Sequence, residues 1–343
     1  MKREEDRPGP SLVLLDTLDG YRRHFMDAGT WQPYVRLVCM RHGLSLYPSV
    51  RSGLPGTCPT FIVDDRWVVK FFGRLFEGGQ AFEAELEANR LLAPEDGWPT
   101  AALVAHGEVF ENSADWPWPY LIFAFIPGIS YGEVRQQVAY GDKLALARSL
   151  GALARRLHEL PIADSALFRP TWAPYRDLLQ EQREQCTSAH RAWQTLSAQL
   201  IEQIEAFVPP VEALVDWSSR PHLIHADLTG DHILGRLDGD HWSTLGIIDW
   251  GDAMVGDVTY ELIALHLDLF QADKRLLAAF LDAYGLDERS RATLPARALS
   301  VALLHRFNVL TVIFELYPQA GEIATLEQLA AALWDIHAPG LEG

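Results

Sequence analysis

The apolar positions change period along the chain, and the changes mark out its organisation. Between Leu12 and Gly43 the spacing is mainly helical, with Trp31, Val35 and Val38 recurring on one face. The Gly- and Pro-rich stretch Arg51–Gly56, RSGLPG, then predicts a loop. Two β-type runs follow, Thr60–Val63 and Trp67–Phe72, on either side of a turn at Asp64–Asp65. Ala81–Leu92 is built from strong helix formers. Two more strands are expected: Ala101–Ala105, bracketed by Pro99 and Gly107, and a run from Pro119 that stops at Pro127–Gly128.

Beyond Gly128 helical spacing dominates. Asp142 is expected to cap a helix in which Leu146, Leu150, Leu153 and Leu157 form one stripe. Tyr175–Phe207 predicts one or two helices, ended by Pro209–Pro210. Two short apolar strands interrupt, His222–His225 and Leu245–Asp249, and from Val258 the chain is helical again, with breaks near Gly285 and Pro318. There is no internal repeat. A strand-rich part, a Pro-Gly junction and a helix-rich part predict an α+β protein of two lobes. The expected boundaries are residues 1–123 for a helical segment and a small β-rich lobe, 124–128 for a hinge, and 129–343 for a larger helical lobe.

A length of 343 residues fits one or two domains, and 48% hydrophobic with 22% charged residues is ordinary for a soluble globular chain. Met1–Pro10 is charged, carries two prolines and reads as a loose tail without the apolar run of a signal peptide. No stretch of about 18 apolar residues suggests a membrane span. Cys39, Cys58 and Cys186 are few, distant and odd in number, which argues against a disulfide framework or cysteine-based zinc site and favours a reducing cytoplasm. With 29 Lys+Arg against 46 Asp+Glu the net charge is −17. That balance repels nucleic acid and anionic membrane and would attract a cationic substrate, although taken by itself it is better explained by solubility alone.

The candidate chemistry lies in His225-Ala-Asp227-Leu-Thr-Gly-Asp231-His232 and in Ile-Ile-Asp249-Trp-Gly. One carboxylate follows a strand in a tight loop, and a second ends the next expected strand. Phosphoryl transfer uses such a pair, one Asp for the attacking hydroxyl and one for the metal that neutralises phosphate charge. Asp residues also end strands for purely structural reasons, so the upstream Lys70 carries weight. It interrupts Val68-Val69 and Phe71-Phe72 in a strand that reads as buried, where a lysine needs a partner. Glu83, Glu85 and Glu87 on the following helix are candidates, with Glu85 the first choice and Glu87 the second.

The ordered elements VVKFFG, EAELEANRLL, WPWPYLIF…IPG, RRLHEL, HADLTGDHIL and IIDWGDAMVGDVTYEL resemble the signature of the aminoglycoside phosphotransferases, from about Leu12 nearly to the C-terminus. The chain is most similar to hygromycin B phosphotransferases of the 7″-hydroxyl type. The resemblance implies a two-lobed protein-kinase-like fold and a resistance enzyme that phosphorylates a hygromycin B-like antibiotic with ATP or GTP and Mg2+, Mn2+ being possible. It implies Asp227 as catalytic aspartate, Asp249 as main metal ligand, and Lys70 with Glu85 as the phosphate-positioning pair. Adenine is expected to meet backbone at Ala124 and Ile126, with Phe123 behind it and the backbone of Gly56 and Thr57 over the phosphates. His225 is expected to be structural, Asp257 and Glu261 to brace the catalytic loop, and His158 to be a core histidine.

One position departs from the family pattern. Five residues after the catalytic Asp the family keeps Asn as second metal ligand, and here His232 stands there. Three readings follow: His232 binds the metal through nitrogen, Asp231 supplies the oxygen, or the chain is a pseudokinase that binds nucleotide without turnover. For the acceptor, Asp177, Glu181 and Glu184 fall at i, i+4 and i+7, a row suited to ammonium groups or simply a solvated helix face. Asp252, Asp268, Asp273 and Glu315 are further acidic candidates, and Trp172, Trp193 and Trp250 are possible sugar walls. The runner-up acceptor is a cellular amino sugar, amine alcohol or similar metabolite. The expected partner is a cationic small molecule, and the expected assembly a monomer or weak dimer.

Overall fold

A computed structural model of the chain describes residues 12–95, 97–111, 113 and 115–337. The tail Met1–Pro10 lies outside the described residues. The chain forms two compact units, one of residues up to Gly128 plus Gly246–Gly251, the other of Ile129–Leu245 plus the residues from Asp252 on. The short segment Gly246–Gly251, which carries Asp249, therefore groups with the first unit rather than with its sequence neighbours.

In the first unit a 3-10 turn at Leu12–Asp16 leads into α1 (Leu18–His24) and α2 (Ala28–Arg41). Asp27 caps α2 by accepting the Gly29 and Thr30 N–H groups. Five antiparallel strands follow, β1 (Val50–Ser52), β2 (Thr60–Val63), β3 (Trp67–Phe71), β4 (Leu103–Glu108) and β5 (Pro119–Ala124), in the order β1-β2-β3-β5-β4. Helix α3 (Gly78–Leu92) lies between β3 and β4 in sequence.

Period-2 alternation in β3 sends its side chains to two cores. Val69 and Phe71 join Trp31, Val35 and Val38 of α2, with the Trp31 and Phe71 rings stacked at 4.6 Å. Val68 and Phe72 join Leu121 and Phe123, packed with Phe82 and Leu86 of α3. Lys70, between Val68 and Phe72, shares this second face. The expected strand at Ala101–Ala105 runs instead over β4. Gly107, read from sequence as a strand end, lies within it, where a Cβ would come 2.7 Å from the Tyr120 hydroxyl.

The second unit runs β6 (Ile129–Ser130), α4 (Tyr131–Val134), α5 (Tyr140–Glu159), α6 (Ala173–Trp193), α7 (Ala198–Phe207), α8 (Val211–Leu214) and β7 (His222–Ile224). It continues with β8 (Ile233–Asp238), β9 (His241–Ile247), β10 (Met254–Gly256), α9 (Val258–Ala264), α10 (Lys274–Tyr284), α11 (Glu288–Leu304), α12 (Thr311–Leu316) and α13 (Leu326–Trp334). The last residues of β9 belong to the first unit. β6-β8-β9 form one small sheet and β10-β7 another. Helices α5 and α10 pack closely at Gly151, where any Cβ would sit 2.3 Å from the Phe280 carbonyl oxygen.

Two expectations change here. Asp142 does not cap α5, which starts at Tyr140 with Ala139 as its N-cap; its carboxylate accepts the Trp242 N–H at 2.8 Å and ties the first turn of α5 to β9. The strand expected at Leu245–Asp249 begins at His241 and ends at Ile247, pairing with β8 across the Gly239–Asp240 turn, where Gly239 takes φ +64°. Asp249 thus lies beyond the strand.

Candidate active site

Lys70 is only 7% exposed, and its Nζ donates to Glu85 Oε2 at 2.6 Å and to Asp249 Oδ1 at 2.7 Å. Burial alone would lower the pKa of this ammonium; the Asp249 and Glu85 carboxylates outweigh burial and hold it well above the ordinary lysine value. Helix periodicity explains why Glu85 is the partner. The buried face of α3 carries Ala84, Glu85, Ala88, Asn89 and Leu92, whereas Glu83 is exposed and Glu87 pairs with Arg90 at 3.9 Å. Asp249 reaches the lysine from a left-handed residue, φ +66°, just before the 3-10 turn Trp250–Asp252.

The loop between β1 and β2 holds Gly56 and Thr57 at the surface, with open space around Gly56. The Tyr21 hydroxyl of α1 donates to the Thr57 carbonyl, an anchor that the sequence reading missed. Cys58, whose pKa is pushed up to about 12 mainly by burial, remains a neutral thiol beside Lys70. At the end of β5, Phe123 is 6% exposed and packs with Phe72 and Leu121. The Ala124 N–H is committed to the Ala102 carbonyl at 2.8 Å, so only its carbonyl remains as the group a base could meet there. Ile126 lies over Gly246, where a Cβ would come 2.4 Å from its Cδ1.

In the second unit β7 leads into the loop of Asp227. Ala226 adopts φ +67°, a costly conformation for a residue with a Cβ. Its N–H is held by Glu261 Oε2 at 2.8 Å. Glu261 is 1% exposed, and burial drives its pKa up to about 7. The Asp227 N–H donates to His225 Nδ1 at 3.4 Å. The Asp227 carbonyl accepts from the Thr229 N–H at 2.9 Å and from His232 Nδ1 at 2.6 Å. Asp257 caps α9 through the Thr259 N–H at 2.8 Å.

Several acidic candidates have structural duties. Asp268 lies in a π-helical turn, Leu265–Leu269, where its Oδ1 accepts the Gly230 N–H at 2.8 Å and lies 3.5 Å from Arg135. It thereby ties the loop that follows Asp227 to this turn. Asp252 pairs with Arg306, and Asp273 caps α10. Asp231 Oδ1 accepts from Ser130 Oγ at 2.9 Å and lies where a Cβ on Gly132 would be, 2.2 Å away. Asp177, Glu181 and Glu184 line the exposed side of α6, opposite buried Tyr175, Leu179, Gln182 and Cys186. Trp250 is 2% exposed and is a core residue. His158 is buried, its pKa lowered to about 3 chiefly by burial, and stacks on His222 at 4.8 Å.

The Glu261 shift predicts a pH signature. The unfolded side chain titrates near 4.5 and the folded one near 7, so the native state holds this proton more tightly. The contribution is complete below pH 4.5, declines as pH rises to 7, and is absent above that. Because neutral Gln does not titrate, Glu261→Gln should gain on the wild type between pH 5 and pH 8, by roughly 3 kcal/mol at most. Urea denaturation at the two pH values measures this, and a pH-independent difference would refute the assignment.

For a divalent cation the donor sets differ in fit. Asp249 offers a partly exposed carboxylate, an oxygen ligand of the kind Mg2+ takes together with substrate phosphates. His232 offers only ring nitrogen, and its Nδ1 is engaged by the Asp227 carbonyl. Among the described residues no cluster of three or more His, Cys, Asp and Glu suits a metal ion, and no helix is long and apolar enough to cross a membrane.

Comparison with known proteins fits this arrangement. The fold is similar to the GDP complex of wild-type aminoglycoside 2'-phosphotransferase-IIIa, with TM-score 0.62, 19% identity and coverage of 88% of this chain and 96% of that one. The GDP and kanamycin complex of APH(2")-IIia gives TM-score 0.61, 19% identity and coverage of 88% and 97%. A microcompartment-associated aminopropanol kinase gives TM-score 0.56, 16% identity and coverage of 87% and 94%. Among curated proteins, lysine-specific demethylase JMJ21 of Arabidopsis thaliana is 24% identical over 271 residues, covering 64% of this chain and 29% of that protein. The chain thus spans less than a third of that relative's length. The model of the phosphotransferase enzyme family matches residues 58–297, a span that takes in Lys70, Glu85, Asp227, His232 and Asp249. With a kinase-like fold and a match over most of its length, the chain belongs to the phosphotransferase enzyme family.

Proposed function

We propose that the chain transfers the γ-phosphoryl group of ATP, or of GTP, to a hydroxyl of a cationic amino sugar of the hygromycin B kind, an activity that would confer resistance. The observation that carries this reading is the buried Lys70 held between Glu85 and Asp249. An ammonium buried in this way is fixed in place, charged and ready to meet phosphate oxygens. Residues 1–123 serve nucleotide binding, 124–128 act as a hinge, and 129–343 supply the catalytic loop and acceptor groups.

In the mechanism the backbone at Ala124 and Ile126 meets the base and Phe123 lies behind it. Gly56 and Thr57 cover the phosphates. Lys70 orients the phosphates, and Glu85 fixes Lys70. Asp249 would hold a divalent cation, which would supply charge neutralisation for the phosphates. Asp227 orients the acceptor hydroxyl and takes its proton while the acceptor oxygen bonds to the γ-phosphorus and the bond to the β,γ-bridging oxygen breaks. Asp177, Glu181, Asp252 and Asp268 are the acidic groups proposed to meet acceptor ammonium groups; Asp177 and Glu181, with Glu184, are exposed on α6, while Asp252 and Asp268 are paired with Arg306 and Arg135.

The likeness to an aminopropanol kinase favours a second acceptor class, a small amino alcohol. The test is to incubate purified protein with ATP and Mg2+ and a panel of hygromycin B, kanamycin and 1-amino-2-propanol, reading phosphate addition by mass spectrometry. Phosphorylated hygromycin B supports the first reading. Phosphate on the amino alcohol alone selects the second, and no phosphorylated acceptor removes both.

A further inference from the structure

His232 stands where the aminoglycoside phosphotransferase pattern calls for a metal-binding asparagine, yet its Nδ1 is turned toward the loop that carries Asp227. Its Nδ1 is 2.6 Å from the Asp227 carbonyl oxygen, 3.2 Å from Thr229 Oγ1 and 3.7 Å from Asp227 Oδ2. A carbonyl has no proton to give, so Nδ1 carries the hydrogen, and the contact fixes the tautomer. On the other side of the same residue, His225 Nδ1 accepts the Asp227 N–H at 3.4 Å, and the two imidazole rings lie 5.9 Å apart at 29°. The peptide units on both sides of Asp227 are therefore each held by a histidine.

Such a clamp is needed because the loop is under local strain. Ala226, immediately before Asp227, is left-handed at φ +67°, and its N–H is held by the Glu261 carboxylate. The Asp227 side chain is 40% exposed, so the backbone, more than side-chain packing, sets its direction. A small rotation about this peptide would move the carboxylate by a large part of the distance that separates productive from unproductive geometry.

From this geometry we infer that His232 is a positioning residue for Asp227: its Nδ1–H pins the Asp227 carbonyl, and the cation requirement rests with Asp249. The inference depends on the proposed role of Asp227 in phosphoryl transfer. Leucine at position 232 keeps bulk and loses the donor, while asparagine restores an N–H on a shorter arm.

The test compares wild type, His232→Leu and His232→Asn with ATP and whichever acceptor the wild type phosphorylates. It measures kcat, the nucleotide KM and the Mg2+ concentration at half-maximal rate. His232→Leu should lose kcat by roughly 100-fold, the scale of a misplaced catalytic group, with KM and the Mg2+ midpoint unchanged. His232→Asn should recover most of the loss. In the metal-free protein, amide hydrogen exchange of the peptide spanning Asp227–His232 should speed up in the leucine variant and return in the asparagine variant. A raised Mg2+ midpoint, with kcat restored at high Mg2+, would make His232 a cation ligand and overturn the inference. So would an unchanged kcat or unchanged exchange. A wild type that phosphorylates no acceptor removes the functional reading instead, and the exchange measurement still judges the clamp.

Discussion

Lys70→Met should destabilise the protein by about 3–5 kcal/mol at neutral pH and, in the same variant, lower phosphoryl transfer by roughly 10²–10³-fold. The stability loss follows from what the lysine leaves behind. Glu85 is 3% exposed and would keep its carboxylate in the apolar space between β3 and α3 with no ammonium at 2.6 Å. Removing one partner of a buried pair costs far more than the pair contributes when intact, because the remaining charge is neither solvated nor matched. A double variant separates the two losses. Lys70→Met with Glu85→Gln should recover much of the stability, as the buried charge is gone, and none of the transfer, as the cation proposed to meet the phosphates is still missing. Chemical denaturation and a transfer assay on the same preparations measure both. Equal stability of wild type and Lys70→Met would show that the buried ion pair is not what holds Glu85.

Asp227→Asn should have the larger effect on chemistry, a loss of about 10²–10⁴-fold in kcat, with folding and nucleotide affinity close to wild type. Asparagine keeps the shape of the side chain and leaves the backbone contacts with His225, Thr229 and His232 available. What it removes is the negative charge proposed to orient the hydroxyl and take its proton. Because the residues proposed to hold the nucleotide are Lys70, Glu85 and Asp249, nucleotide binding should be indifferent to the change. A rise in nucleotide KM with unaltered kcat would place Asp227 in binding rather than catalysis.

These side chains were legible in the sequence to different degrees. Lys70 was the clearest, because alternation in β3 puts it on the buried face with Val68 and Phe72 and an unpaired lysine cannot stay there. Glu85 was reachable because helical spacing puts it with Ala84, Ala88 and Leu92 on the buried face of α3. The β-rich and helix-rich parts were visible in the change of period. The backbone work was not visible. Nothing in His-Ala-Asp announces a left-handed Ala226, because the carboxylate on its N–H comes from Glu261, 35 positions away. Asp268 reads as one more acidic side chain until the π-helical turn brings it to the Gly230 N–H. The Tyr21–Thr57 bond joins residues 36 positions apart, beyond the reach of any local pattern. Asp142 was misread because a capping residue and a first-turn residue that bonds another element look alike in sequence.

The most direct measurement follows the fate of the γ-phosphate. Wild-type protein and Asp227→Asn would be incubated with γ-labelled ATP, Mg2+ and hygromycin B, and the label traced to acceptor, inorganic phosphate or protein, with nucleotide affinity measured alongside. The account predicts label on an acceptor hydroxyl with the wild type, and its near-complete loss in Asp227→Asn at unchanged nucleotide affinity. Transfer by Asp227→Asn at the wild-type rate would contradict it.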